Sequence, residues 1–313
     1  MKRKIFTTIA LFTLLNAQES YEDKLIQYHQ TISQWLTQST DSLDRYLSSQ
    51  ESKAPNNTQI DLSLTLIPGT DGSFDTDYGF NVRLDMPRFS KKVHFLFNQI
   101  EDNWSGTKGN KPPQLHNDIY DKNREKNYNF GFEYRGIDSD KFHLGLTGGV
   151  RFNKSIIEPY IGVDAKKRLL QTDKQNIYFT NIVKLYLKGE IQDIAKVESI
   201  YNIDKSSLIG TGATLGYSSN SDNQSLLLDA NYFYALDRNR YINSGIMGSY
   251  SLTKFSHIKA DQYKIFTQYR DRLLNKDWLY YKVTPSIQWK RINDFHSSFH
   301  VGVTLGVKFG AIK

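Results

Sequence analysis

The chain has 313 residues, no cysteine and a formal net charge of +7. The lack of cysteine excludes disulfide scaffolds and thiolate metal sites. A mean hydropathy of −0.55, with no apolar run of about 18 residues after the N-terminus, excludes helical membrane spans there. Basic and acidic residues are interspersed along the whole chain, unlike the clustered basic stripe that nucleic acids require, so we expect no nucleic-acid partner.

Residues 1–17 have the three parts of a secretory signal peptide. Lys2, Arg3 and Lys4 form a positive start, Ile5 to Leu15 form a short apolar run, and Ala17 ends a plausible cleavage site. We expect this segment to be removed after export. Its three positive charges leave with it, which lowers the formal net charge from +7 to +4.

Residues 18–58 form the next segment, in which residues 21–49 have the spacing of an amphipathic helix and residues 51–58 end it. A solvated helix in the periplasm is the simplest interpretation, and a lumen plug or a helix that pairs with other copies are the alternatives. The apolar positions of this helix are Leu25, Tyr28, Ile32, Trp35, Leu36, Leu43, Tyr46 and Leu47.

From residue 59 to residue 313, apolar residues recur at every second position; Val301, Val303 and Leu305, for example, alternate with Gly302 and Thr304. Such segments of about ten residues, separated by turns, are typical of strands between lipid and a lumen. We therefore predict an all-β fold, a transmembrane antiparallel up-and-down β-barrel of about 14 strands (12–16). The candidate strands are 60–67, 78–86, 92–99, 128–135, 141–152, 157–167, 176–187, 194–203, 207–217, 225–235, 241–252, 262–270, 278–290 and 297–309.

Three features disturb this pattern. The 194–203 segment has Ser199 among its apolar positions, and Pro159 and Pro285 each remove a hydrogen-bond donor inside a candidate strand, which suggests a bulge or a misplaced strand end. The 100–127 segment is the longest connection, and we expect it on the outside, folding over or into the barrel mouth.

The face opposite the apolar residues is predicted to line the lumen. Charged residues there require water or mutual pairing, since an unpaired charge in a dry interior is costly. A weakly selective aqueous pore and a closed, salt-bridged lumen both satisfy this requirement. The candidate lumen residues are Arg83, Asp85, Glu133, Arg135, Arg151, Glu158, Asp164, Lys264, Lys282 and Lys290.

The final strand carries His300, Gly302, Leu305, Val307 and Phe309 at a spacing that resembles the assembly signal of bacterial outer-membrane β-barrels. The usual pattern ends the chain on an aromatic residue, whereas here residues 310–313 follow Phe309. The resemblance implies residence in outer-membrane lipid and recognition by the barrel-assembly machinery. It covers the last strand and does not extend to any particular characterised family.

These observations favour a non-enzymatic, porin-like channel for small solutes, with no cofactor. A closed structural barrel, or an adhesive barrel acting through its outer loops, is the main alternative. A lipid deacylase is a remote one, based on His296, Ser297 and Ser298 near the last outer loop with Glu101 or Asp294 as the acid.

Overall fold

The computed structural model describes residues 19–48, 56, 58–84, 93–98, 127–153, 156–219, 223–237, 239–253 and 257–310. The candidate signal peptide, Asp85 and residues 100–126 of the long connection lie outside this part of the chain. One long helix, α1 (Glu19–Leu47), precedes fourteen described strands. The strands are β1 (Gln59–Pro68), β2 (Phe74–Leu84), β3 (Val93–Asn98), β4 (Asn127–Asp138), β5 (Phe142–Asn153), β6 (Ile156–Gln171), β7 (Gln175–Tyr186), β8 (Ile191–Asn202), β9 (Ser207–Ser218), β10 (Asn223–Ala235), β11 (Tyr241–Thr253), β12 (His257–Arg272), β13 (Leu279–Lys290) and β14 (Ser297–Gly310).

The strands form one closed ring. Each pairs antiparallel with its neighbours in sequence, and β1 also pairs with β14, with Gln59 opposite Gly310 and Leu66 opposite Val303. A closed ring has no edge strand, so each strand finds backbone partners on both sides without water. The predicted antiparallel up-and-down barrel is therefore confirmed.

The outer face of the barrel is apolar. On β5, Leu146 is 54% exposed, whereas its neighbours Gly145 and Thr147 are buried on the inner side. Ile161 and Val163 on β6 and Ile246 on β11 continue this exposed band. A continuous band of exposed aliphatic side chains is costly in water and is stabilised by lipid, so this is the architecture of an outer-membrane barrel. Among the described residues, no helix is long and apolar enough to cross a membrane.

The barrel has two distinct ends. Because the strands alternate in direction, the start of β1, the end of β14 and the turns after even-numbered strands lie together, at what we call the terminus end. The turns after odd-numbered strands lie at the opposite end, the loop end. In the β10–β11 turn at the terminus end, the backbone N–H of Asn239 and the Arg240 guanidinium lower the pKa of Asp237 to about 2.

The weakest predicted strand is real. β8 (Ile191–Asn202) pairs with β7 and β9 along almost its whole length. Val197 and Tyr201 are each more than 40% exposed on the outer face, as the alternation requires. Ser199 therefore occupies an outward position within a regular strand. The strand is paired on both sides through this position although serine is not apolar.

Both prolines lie where one side of the ladder is incomplete. The carbonyl of Pro159 accepts a bond from the Leu187 N–H, 2.9 Å away, but the regular β6–β7 register begins only at Tyr160. Pro285 pairs with Val301 of β14 and has no partner in the described β12–β13 register. Proline lacks a backbone N–H. Pro159 lies at the end of the β6–β7 pairing and Pro285 lies in a gap of the β12–β13 pairing, so the lost hydrogen bond costs little at either position.

Helix α1 contacts the terminus end through a polar face. His29 Nε2 donates to the Lys308 carbonyl at 2.8 Å, and the Gly310 N–H donates to Ser33 Oγ at 3.1 Å. The His29 ring stacks on Trp278 and Phe309, with ring centroids 4.1 and 5.3 Å apart. The predicted helix is thus present, two residues earlier than expected at each end. It leaves an apolar face exposed, made of Leu25, Tyr28, Ile32, Trp35, Leu43 and Tyr46.

Candidate functional site in the barrel lumen

The candidate site is the inner wall of the barrel. Most of the predicted lumen residues lie on its inner face, where buried polar positions alternate with the exposed outer band. Arg83 has its backbone in β2, but its side chain is outside the described part of the structure, as is Asp85. The residues on the inner face are Glu133 and Arg135 of β4, Arg151 of β5, Glu158 and Asp164 of β6, Lys264 of β12, and Lys282 and Lys290 of β13.

An acidic cluster, which we define as Glu133, His143 and Asp164, lies near the terminus end of β4, β5 and β6. His143 Nε2 is 2.7 Å from Asp164 Oδ2 and 3.0 Å from Glu133 Oε1. Arg135 Nε is 3.2 Å from the same Glu133 oxygen. Glu133 and Asp164 are only 3% and 5% exposed, so their charges interact through protein rather than through bulk water.

A second group, the Arg151 cluster, lies at the loop end. The Arg151 guanidinium donates to both Glu158 on β6 and Glu190 in the β7–β8 turn. It also stacks over the Tyr186 ring, 3.7 Å from the ring centroid, and Ser218 donates to Glu190 at 2.9 Å. One cation therefore joins two nearly buried carboxylates from different elements of the wall.

A basic cluster, made of Arg270, Lys282 and Lys308, surrounds Tyr280 on β12, β13 and β14. Their charged groups lie 4.0, 5.9 and 5.8 Å from the Tyr280 ring centroid. Tyr280 donates to Asp61 Oδ1 of β1 at 2.8 Å. The ring lies directly over Gly306, its register partner on β14, where a Cβ atom would collide with it. Glycine at this position is therefore what allows the tyrosine to lie flat against the wall.

The acidic and basic clusters face each other. In a ring of fourteen strands, β5 is seven strands from β12, so the middle strand of the acidic cluster is diametrically opposite the strand that carries Arg270 of the basic cluster. Both lie near the terminus end, since His143 is the second residue of β5 and Lys282 is the fourth residue of β13. Charged side chains of both signs on opposite sides of the ring affect the field through the lumen.

The described contacts within these clusters run around the wall. Arg151 reaches β6 and the β7–β8 turn, and Tyr280 reaches β1 past β14. Each contact joins strands that are one or two places apart in the ring. Pairing of this kind stabilises charged side chains without drawing opposite walls together.

The residues that resemble an assembly signal divide between the two faces of β14. His300 and Gly302 are buried on the inner face, and the His300 Nε2 is 2.9 Å from Ser298 Oγ. Leu305, Val307 and Phe309 lie on the outer face, where Phe309 contacts His29 of α1.

The serine and histidine residues at the last turn have contacts unlike those of a hydrolase triad. His296 Nδ1 contacts the Asn293 carbonyl at 2.9 Å. His300 contacts both Ser298 and Asp71 through the same nitrogen, Nε2, with Asp71 3.9 Å away. A catalytic triad instead places the serine and the acid on opposite ring nitrogens. The deacylase hypothesis therefore gains no support from these contacts, and Glu101 lies outside the described residues.

The set of candidate lumen residues lacked several members of these clusters, among them Glu190, Arg270 and Tyr280. Glu190 lies in a turn, outside the alternation that identified the lumen residues. Arg270 is the last residue of the predicted strand 262–270 and shares its face with Lys264 at a spacing of six, so the alternation already pointed to it. Tyr280 was not predicted as a lumen residue because aromatic residues are expected in the lipid-facing girdles.

No protein-family model and no curated protein matches the chain. Several solved outer-membrane proteins have a similar overall shape at very low sequence identity. Folded OmpT of Vibrio cholerae has a TM-score of 0.47 and 7% identity, covering 84% of this chain and 99% of that chain. The channel DcaP of Acinetobacter baumannii has a TM-score of 0.46 and 8% identity, covering 84% and 100%. The monoaromatic hydrocarbon channel CymD has a TM-score of 0.48 and 7% identity, covering 90% and 93%.

Proposed function

We propose that this barrel is a porin-like channel that lets small hydrophilic solutes cross the outer membrane. The observation that carries the proposal is a closed ring whose inner wall is lined by charged side chains of both signs, among them the acidic cluster on β4–β6 and the basic cluster on β12–β14 on the other side of the ring. A passage lined by both signs stabilises ions and dipolar solutes and gives weak rather than strict charge selectivity.

The orientation of the barrel in the membrane follows from the export segment and from the positions of the two barrel ends. Residues 1–17 direct export and are removed, residues 18–58 remain in the periplasm, and the terminus end faces the periplasm. The 100–127 segment then lies outside the cell at the channel mouth. In this arrangement, helix α1 contacts the inner rim of the barrel through His29 and Ser33 and leaves the lumen to solutes.

Conductance in planar lipid bilayers tests the proposal. Purified barrel is expected to form channels of stable unit conductance. If neither the full mature chain nor a barrel lacking residues 18–58 forms channels, the closed structural barrel replaces the pore.

Charge reversal at the basic cluster tests the role of the facing walls. Lys282→Glu is expected to shift the reversal potential in a salt gradient toward cation selectivity, because it removes a positive charge from one wall and adds a negative one. Lys205→Glu makes the same charge change in the exposed β8–β9 turn, at the same end of the barrel, and is the matched control. Equal shifts in both variants would mean that the cluster does not face the permeating ion.

A further inference from the structure

The acidic cluster has a feature that an ordinary ion pair does not explain. The carboxylates of Glu133 and Asp164 both approach the same atom, Nε2 of His143, at 3.0 and 2.7 Å. A ring nitrogen carries at most one hydrogen, which can point well at only one of the two oxygens. The donor atoms of all three side chains lie within 4.8 Å of one another, and they come from three neighbouring strands.

The second observation is an unsatisfied oxygen. The Asp164 side chain is 6% exposed, and its Oδ1 atom is buried without a hydrogen-bond partner. A buried carboxylate oxygen without a donor is costly. Arg135 lies beside Glu133, but it does not reach Asp164 in the described contacts. The cluster therefore holds one acceptor oxygen that its described neighbours do not satisfy.

The other nitrogen of His143 has the partner that metal-binding histidines generally have. Asp138 Oδ1 is 3.4 Å from His143 Nδ1. A carboxylate on one ring nitrogen keeps the hydrogen there and leaves the lone pair of the opposite nitrogen free for a cation. In this tautomer, Nε2 points its lone pair at the space between Glu133 and Asp164.

We propose that Glu133, His143 and Asp164 bind a divalent transition-metal cation, for which Zn²⁺ is the best match. One imidazole and two carboxylates suit Zn²⁺, whereas Ca²⁺ and Mg²⁺ prefer sites made of oxygen alone. Tetrahedral bonds of about 2.0–2.1 Å separate ligand atoms by about 3.3 Å. The distances from Nε2 to the two carboxylates, 2.7 and 3.0 Å, therefore need to open slightly, and the three ligand atoms already lie within 4.8 Å of one another. Water takes the fourth position, and the cation ties β4, β5 and β6 together. The site does not depend on conduction through the lumen.

Zinc titration of the full mature barrel tests the site. After chelator treatment, calorimetry with zinc chloride and metal analysis are expected to show one zinc ion per wild-type barrel. His143→Gln and Asp164→Asn each remove a ligand and are expected to abolish that binding. Asp138→Asn keeps every ligand and is expected to weaken binding by about 10–100-fold, the usual effect of losing an orienting partner. Glu198→Gln, which changes another inner-wall carboxylate paired with Lys196, is expected to bind as wild type does.

Two binding results would overturn the proposal: absence of stoichiometric binding by wild type, or zinc binding by His143→Gln and Asp164→Asn equal to that of wild type. X-ray absorption uses the wild type alone, so its result does not depend on whether the variants fold. X-ray absorption of the zinc-loaded barrel is expected to show one nitrogen ligand among oxygens, and a shell of oxygen alone would reject the site. Since none of these measurements involves ion current, a negative result for zinc binding leaves the channel proposal unaffected.

Discussion

Replacing Arg151 with alanine is expected to lower the free energy of unfolding of the barrel by about 3–5 kcal/mol. The guanidinium is 11% exposed and joins Glu158 and Glu190, which are 9% and 10% exposed. Removing it leaves two negative charges close together with little access to water, a far larger penalty than the loss of one surface ion pair. Urea unfolding in lipid vesicles, followed by tryptophan fluorescence, measures the difference.

A matched control separates burial from loss of charge. Arg240→Ala also removes an arginine near two aspartates, Asp237 and Asp271, but it does so in an exposed turn, and its effect is expected to be much smaller. Adding Glu158→Gln and Glu190→Gln to Arg151→Ala is expected to recover much of the lost stability. If Arg240→Ala proved as harmful as Arg151→Ala, the Arg151 cluster would be better hydrated than its burial indicates.

Replacing Leu146 with arginine is expected to destabilise the barrel by about 2–4 kcal/mol, because this outward position lies near the middle of β5 and faces the bilayer core. The penalty comes from placing a charge in hydrocarbon. The same unfolding experiment, with the heat-modifiable shift of the folded barrel on a gel, measures it.

Depth in the bilayer gives the control for this prediction. Ile203 is also exposed, but it lies just beyond the end of β8 at the rim, where Ile203→Arg is expected to cost only about 0–1 kcal/mol. Leu146→Met should be nearly neutral, since it keeps the position apolar. Similar losses from the two arginine variants would show that the outer band does not face lipid as the alternation indicates.

The strands were predictable because lipid and lumen impose opposite demands on neighbouring side chains. This alternation placed all fourteen strands, although their ends shifted by several residues; β12 begins at His257 rather than at 262, and β2 begins at Phe74 rather than at 78. Strand ends project beyond the bilayer, where both faces meet polar surroundings and the alternation loses its meaning. The sequence also could not show why Pro159 and Pro285 are tolerated inside strands. A proline is tolerated where the neighbouring strand on one side does not pair with it, and strand pairing is not visible in the sequence.

The candidate site was less predictable than the fold. Alternation assigns a residue to the inner face but does not say which inner residue it meets, because that depends on the register between strands. Glu133 and Asp164 were assigned to the lumen, yet their convergence on His143 follows only from the pairing of β4 with β5 and of β5 with β6. The opposition of the acidic and basic clusters also requires the closed ring, which no local pattern encodes.

The contact between α1 and β14 bears on the order of assembly. His29 and Lys308 are separated by 279 positions in the chain, and the bond between them uses a carbonyl of the last strand. The helix is synthesised before all of the strands, but the β14 residues that it contacts are made last. Contacts between residues so distant in sequence form late, because the intervening chain must be ordered beforehand. Docking of the N-terminal helix therefore requires the last strand to be in place, and protection of α1 from proteolysis would report the moment when β14 has folded.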